Sequence, residues 1–417
     1  MVTSGRMHRR VSVVGMGVVS PFGTSLHTYR DALLQGKTGI APITDFDTKD
    51  CRSTLAARVT GFDAPAWISP MKLRRMDRTG AYAVAASGLA MEDARQARSD
   101  EGVDDSGVML GTWTAGGQAT QDYLSAFFRT GPTGAPALLF NSTVANAAAS
   151  LVGLEFKLRG PNATVSYKEA SGLSAIVSAT EMIREGHASA LAAGGVDAVY
   201  EIFFKAYDRF HVMSPAPVSD ARVAPFDASR SGFVLGEGGF MLWLEGDDEW
   251  LSRGATAHGE ILGVGAASSA VSLNAWPEAS GVLVRTMRLA LDDAGLGPRD
   301  VNVVYASANA TLALDRVEAE ALGELFGSES CVVTSVKGSL GESGASGSAA
   351  CIAALLCGRE GRVPPISGIA TPDAAADRLH LAVAAVDAPG PIALVNSFAS
   401  GGALFSVVLR VAAQGRH

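Results

Sequence analysis

Cysteine is scarce. The 417 residues hold four (Cys51, Cys331, Cys351, Cys357), with no C-x-x-C pair and no histidine at ligand spacing, so neither a metal site nor a disulfide framework is supported. A reduced, cytoplasmic compartment follows as the expectation. Charged residues make up only 18% and the formal net charge is −8. Without a basic stripe, counterion release cannot drive binding to a nucleic acid. No run of about 18 or more apolar residues exists to span a bilayer, and the basic start MVTSGRMHRR leads into a strand-like run interrupted by glycine, a poor signal peptide. Aromatics are few, at 7%, whereas glycine is plentiful at 47 residues and 47% of the chain is hydrophobic. That is the composition of a compact globular protein.

What is present is alternation. From Val11 a buried strand runs into a glycine turn at Gly15-Met16-Gly17, and a helix follows through Tyr29 to Leu34. The glycines open like a dinucleotide loop, but Ser20 replaces the third glycine and Pro21 follows it, so no nucleotide site is expected. Arg75 to Ala94 and Asn141 to Gly160 read as small-residue helices, and Val108 to Thr112 as a strand. Gln118 to Phe128 carries Tyr123, Phe127 and Phe128, an aromatic group that ordinary burial assigns to a core. Leu191 to Val196 and Ile261 to Ala267 read as strands, Gly281 to Ala294 as a helix, Val301 to Ala306 as a strand. Such alternation predicts mostly parallel sheets with helical crossovers. The acidic link Gly246-Asp247-Asp248-Glu249 divides the chain into units 1–246 and 247–417, with no sequence self-similarity evident between them.

The centre of the pattern is Val165 to Leu191. A β-prone run reaches Tyr167, a tight turn follows at Lys168-Glu169-Ala170-Ser171-Gly172, and apolar residues then recur at helical spacing (Leu173, Ile176, Val177, Ile183). A residue at such an elbow faces unpaired backbone N–H groups, a place suited to a nucleophile of lowered pKa. The elbow here presents Glu169.

These residues resemble a known family. Val165 to Ile176 is similar to the nucleophile elbow of the β-ketoacyl synthases, and Phe226-Asp227, Arg230, Gly232-Phe233 and Gly236-Glu237-Gly238 follow the order of the segment closing the first half of their fold. The resemblance runs along nearly the whole chain. It implies an α/β thiolase fold, two similar α/β halves in a five-layered α-β-α-β-α arrangement.

It also implies where chemistry would sit. The family's cysteine, three residues before Gly172-Leu173, is Glu169, on which no thioester can form. Its first histidine, opening an H-G-T-x-T run, is Ser307 at the head of Ser307-Ala308-Asn309-Ala310-Thr311, with Asp315 and Glu318 kept in phase. Its second histidine, five residues after Lys337, is Glu342, a carboxylate that would repel an enolate. The gating phenylalanine of its C-terminal N-S-F-G-F-G-G loop is Ser400. None of the seven histidines falls on a motif position, and His211 is the one whose segment approaches the elbow.

Joint replacement of all three catalytic groups resembles the chain length factors, the ketosynthase β subunits of bacterial type II polyketide synthases. The resemblance implies no catalytic residue, bound cofactor or metal, and substrates carried on the phosphopantetheine arm of an acyl carrier protein. It implies an active ketosynthase α subunit as heterodimer partner, joined through edge strands around Thr164 to Tyr167. Gln118, Tyr123, Phe127 and Phe203 are the tunnel candidates. Two other readings stay open: a malonyl-thioester decarboxylase using Glu169 or Glu342 as base, and a purely stabilising scaffold. The Lys168-Glu169 pair also has a structural reading, with the carboxylate capping the helix.

Overall fold

A computed structural model describes residues 9–74, 76–99, 101–215, 223–327 and 331–413. Its first strand, β1 (Val11–Val19), is followed by helix α1 (Leu26–Leu34), whose N-cap Ser25 accepts from the Thr28 N–H. Then come α2 (Arg78–Asp93), β2 (Ser106–Gly111), α3 (Gly117–Thr130), the single turn α4 (Ala137–Phe140) and α5 (Ala147–Phe156). Strand β3 (Asn162–Val165) leads through the elbow into α6 (Ser171–Arg184), β4 (Ala190–Asp197), α7 (Glu201–Arg209) and β5 (Gly238–Gly246). After the acidic link come β6 (Gly259–Ser268), α8 (Gly281–Asp293), β7 (Val303–Tyr305), α9 (Leu312–Phe326), β8 (Val332–Thr334) and α10 (Ser346–Arg359). The last strands are β9 (His380–Leu381), β10 (Ile392–Phe398) and β11 (Ala403–Val411).

The strands form one 11-stranded sheet ordered β9-β8-β7-β10-β11-β6-β1-β5-β4-β2-β3. Its two arms repeat one plan. β1, β5 and β4 pair antiparallel in turn, then β4-β2-β3 pair parallel; β6, β11 and β10 do the same, then β10-β7-β8. A short antiparallel contact, Val11 to Ile261, joins β1 to β6. Helices α6 and α10 lie between the arms, where Leu173, Ile176, Ile352 and Leu355 are fully buried in one core cluster. A second cluster holds α2 and α5 against the first arm, with Tyr82, Val152 and Trp243, and a third holds α8 and α9 against the second, with Met287, Leu314 and Leu394. The result is the five-layered thiolase fold.

The repeat is also visible in sequence, contrary to the expectation. Leu89 to Ala94 reads LAMEDA and Leu289 to Ala294 reads LALDDA, each packed on a strand with glycines two apart, Gly15 and Gly17 or Gly263 and Gly265. Asp93 Oδ2 accepts from the Met16 N–H and Asp293 Oδ2 from the Val264 N–H, both at 2.9 Å. A Cβ on Gly15 would stand 2.0 Å from Ala90 O, and one on Gly263 2.3 Å from Ala290 O, so the strand can approach its helix only without a side chain. This overturns the glycine turn as well. Gly15-Met16-Gly17 lie inside β1, and the chain reverses later, at Ser20–Gly23.

Other boundaries move by a few residues. β3 stops at Val165 rather than Tyr167, and α5 begins at Ala147 rather than Asn141. α2 starts at Arg78 because Asp77 caps it, accepting from the Gly80 N–H; Arg75 lies outside the described residues. The aromatic group on α3 is no core. Phe128 is 79% exposed and Tyr123 and Phe127 are half-buried, because α3 packs through its N-terminal end, where Gly117 and Ala119 are buried, and leaves its aromatic stretch outside.

Candidate active site at the elbow

Glu169 sits on a one-turn 3₁₀ helix, Lys168–Ala170, just before α6. Lys168 has φ of 50°, a left-handed conformation that a side chain adopts at some cost. Ser171 Oγ fixes the turn, accepting from the Tyr167 N–H at 2.9 Å and donating to Lys168 O at 2.7 Å. The Glu169 carboxylate does not cap α6. It points to the turn after β10, where Ser400 donates twice: its N–H to Oε2 at 3.2 Å and its hydroxyl to Oε1 at 2.9 Å. Lys168 does not pair with it, but donates to Asn274 Oδ1 at 2.5 Å and Ser400 Oγ at 3.1 Å. The structural reading of a helix-capping carboxylate is therefore corrected. Three-dimensional closure of the C-terminal turn supplies nearer donors than the first turn of α6.

Ser307 and Glu342 face the same centre from the second arm. The Lys337 ammonium joins them, donating to Ser307 O at 2.6 Å and to Glu342 Oε2 at 2.7 Å. Asn309 Nδ2 donates to the same Oε2 at 2.8 Å and the Ser343 N–H to Oε1 at 3.1 Å. Ser307 Oγ accepts from the Phe398 N–H at 2.9 Å, and the Ser307 N–H donates to Glu318 Oε1 at 2.9 Å. Asp315 Oδ1 accepts from the Asn309 N–H, and Oδ2 from the Phe226 N–H. Every group named in this network is buried, with Glu169 at 2%, Ser307 at 0% and Glu342 at 1% exposure.

The centre is rich in acid. Burial, then the facing Glu342 charge, pushes the Glu169 carboxyl up to about 7. Burial likewise raises Glu318 to about 7 and Asp315 to about 6, against the hydrogen bonds and cations that hold them down. The Ser400 backbone N–H binds the Glu169 carboxylate, so it is not free to receive a thioester carbonyl.

The tunnel candidates are not in this centre. Gln118 lines a cavity of about 650 Å³ with Ala119, Asp122, Leu138, Leu139 and Leu151, and its amide donates to Asp122 Oδ1 at 2.9 Å. Tyr123 leans on Phe140, and Phe127 on Phe128, with ring centroids 5.6 Å apart in each pair. Phe203 packs from α7 over Gly117, where an added Cβ would lie 2.5 Å from its ring. His211 stands exposed beyond α7 in a left-handed turn, away from any catalytic contact. Sequence reasoning missed Lys168 as the partner of both Ser400 and Asn274; each lies over 100 residues from it in the chain, and no local signal links them. Among the described residues no group of three or more potential metal ligands gathers, and no helix is long and apolar enough to cross a membrane.

An elbow on the first arm, met by three segments of the second arm in a five-layered fold, defines the class: proteins of the thiolase fold. Within it the chain belongs to the β-ketoacyl synthase family, whose N-terminal domain matches residues 8–249 and whose C-terminal domain matches residues 258–370. It is 31% identical over 402 residues to the 3-oxoacyl-(acyl-carrier-protein) synthase 2 of Synechocystis sp., covering 94% of this chain and 96% of the relative. The enzyme of the same name from Coxiella burnetii is 31% identical over 416 residues, 96% of this chain and 98% of the relative. Among solved structures, the ishigamide ketosynthase/chain length factor matches with a TM-score of 0.91 and 30% identity, over 97% of this chain and 100% of that one. A β-ketoacyl synthase from Burkholderia phymatum matches at 0.89 with 28% identity, over 97% and 100%. A type II polyketide acyl-carrier protein in complex with its ketosynthase, bound to the hexaketide, shares the fold at 0.89 and 24% identity, over 97% and 100%.

Proposed function

We propose that this chain is the non-condensing partner of a heterodimeric type II polyketide ketosynthase, a chain length factor. The carrying observation is the centre itself: Glu169, Ser307 and Glu342, the residues that stand for the family's catalytic groups in this reading, are all buried, Glu169 bonded to Ser400 and Ser307 joined to Glu342 by Lys337, which already neutralises Glu342. A condensing centre needs a nucleophile that can carry an acyl group and donors that strengthen toward an enolate. Here the nucleophile position is a carboxylate and the donors are spent on acids. Losing the nucleophile of such a coupled unit costs on the order of 10⁶ in rate.

Two surface features support a partner. Among the described residues β3 is the end of the sheet and pairs with β2 alone, and an open strand edge invites pairing. Leu154, 77% exposed on the α5 helix that packs on β3, and Tyr167, 48% exposed two residues beyond it, lie near this edge, and Leu138 at 83% and Phe128 at 79% are exposed on α4 and α3, apolar area that a stable complex would cover. The partner is an active ketosynthase subunit, and the substrate arrives on the phosphopantetheine arm of an acyl carrier protein. A decarboxylase using Glu342 as base fits poorly, because its carboxylate is engaged by Lys337, Asn309 and Ser343.

The test is product analysis after combining this chain with its ketosynthase partner, carrier protein and malonyl supply, against each subunit alone. Chain extension is expected only with both subunits, and extension by this chain alone sinks the reading. Enlarging Gln118 to Trp then separates a tunnel from a scaffold: shorter products are expected, whereas a lower yield of unchanged product favours the scaffold.

A further inference from the structure

We propose that Ser400 is an acyl-accepting nucleophile, served by Glu169 as general base and Lys168 as the cation beside its oxyanion, that takes an acyl group from a pantetheine-type thioester. The inference goes beyond the partner-subunit reading, since it concerns transfer to this chain and not chain extension.

The geometry is that of an activated hydroxyl. Ser400 Oγ donates to Glu169 Oε1 at 2.9 Å and lies 3.1 Å from Lys168 Nζ, both within the reach expected of a nucleophile and its helpers. Each helper is itself oriented. The second Glu169 oxygen is held by the Ser400 N–H, and the Lys168 ammonium by Asn274 Oδ1 at 2.5 Å. Two non-glycine residues in the left-handed region meet here, Lys168 at φ 50° and Asn274 at 66°, and a third, Ala270 at 50°, lies against Gly402. Strain gathered at one point of a fold marks a place held for function. Ser400 heads a turn whose next residues, Gly401 and Gly402, have φ of 92° and 106°. It is 8% exposed, whereas Lys168 is half-buried and Asn274 is exposed, so the cluster opens outward along these two side chains. The Glu169 carboxyl, raised to about 7, is suited to accepting a proton near neutrality.

The step balances without a further reagent. As Oγ attacks the thioester carbonyl carbon, its proton passes to Glu169 Oε1 and the oxyanion forms beside Lys168 Nζ. The C–S bond then breaks, and the leaving thiolate takes the proton from Glu169. The products are an ester on Ser400 and a free pantetheine thiol. Attack of water on that ester, with Glu169 again as base, releases the carboxylic acid and restores the serine.

The experiment incubates the full-length chain alone with hexanoyl-pantetheine and follows intact mass, peptide mapping and thiol release. One hexanoyl group on the peptide holding Ser400 is expected, stable to neutral hydroxylamine and lost in alkaline hydroxylamine as an oxygen ester. Ser400→Ala removes it, and Glu169→Gln slows it on the order of a hundredfold or more. The rate of wild-type labelling rises with pH through about 7, as Glu169 loses its proton, and this rise is absent from Glu169→Gln. Ser400→Cys, which keeps the side-chain size, moves the label into a thioester cleaved by neutral hydroxylamine, so the test survives if the alanine variant does not fold. No label on the folded wild type, or label on Cys51 or a lysine that persists in Ser400→Ala, overturns the proposal. Neither result bears on whether extension needs a partner, which is read from products.

Discussion

Lys337 and Glu342 are each almost fully buried, at 4% and 1% exposure, and 2.7 Å apart. Attraction in such a place mainly offsets the desolvation of both charges, so the pair adds little, yet losing one partner strands the other. Lys337→Met is expected to destabilise the chain by about 3–5 kcal/mol, measured by denaturant unfolding, and an effect near zero would refute the coupling. Glu169 gives a pH-dependent counterpart. Its carboxyl titrates at about 7 in the fold against the usual 4.5, so folding favours the protonated form. That contribution is complete below about 4.5 and is lost as pH rises through about 7, a loss of at most roughly 3 kcal/mol. Wild type is therefore expected to lose stability relative to Glu169→Gln between pH 5 and 8. Glu318 and Asp315 titrate in both proteins and cancel in the difference. Parallel stability curves for the two would rule out an ionising Glu169.

At the scale of elements, β3 and the elbow behind it are the edge through which the proposed heterodimer would assemble. Pro161 O and Val165 O accept from the Val108 and Thr112 N–H groups, so alternate residues of β3 turn toward β2 and the N–H groups of Asn162 and Thr164 face outward. Thr164 Oγ1 is also buried without a hydrogen-bond partner. Proline at an outward position deletes a donor without breaking the existing ladder. Thr164→Pro is accordingly expected to weaken association with the ketosynthase partner at least tenfold, about 1.4 kcal/mol, in sedimentation of the mixed subunits, while the isolated chain keeps its melting behaviour. Unchanged association would move the interface away from this edge. The helices differ in how they meet the fold. α6 and α10 are enclosed between the arms, whereas α3, α4 and α5 expose apolar side chains that a single chain leaves uncovered.

For the whole molecule, duplication explains both the fold and the site. Two arms built on one plan meet at β1 and β6, and each sends residues to the centre: Glu169 from the first, Ser307, Lys337, Glu342 and Ser400 from the second. Neither arm alone closes it.

The alternation of strands and helices and the elbow were legible in sequence because they rest on local periodicity, whereas Glu169, Ser307, Glu342 and Ser400 were singled out by the resemblance to the β-ketoacyl synthases, through landmarks such as Gly172-Leu173 and Lys337. The sequence trace of the repeat is short, six residues in each half, LAMEDA and LALDDA, and it takes its meaning from the matching strand contacts of Asp93 and Asp293. What these replacements do to one another was decided by tertiary structure. Glu169 finds Ser400 and Lys168 finds Asn274 across more than 100 residues, and the aromatic residues of α3 stay outside because only the start of that helix meets the core. Helical spacing fixes which residues share a face, but whether that face meets a core, a solvent boundary or another chain depends on elements packed from elsewhere.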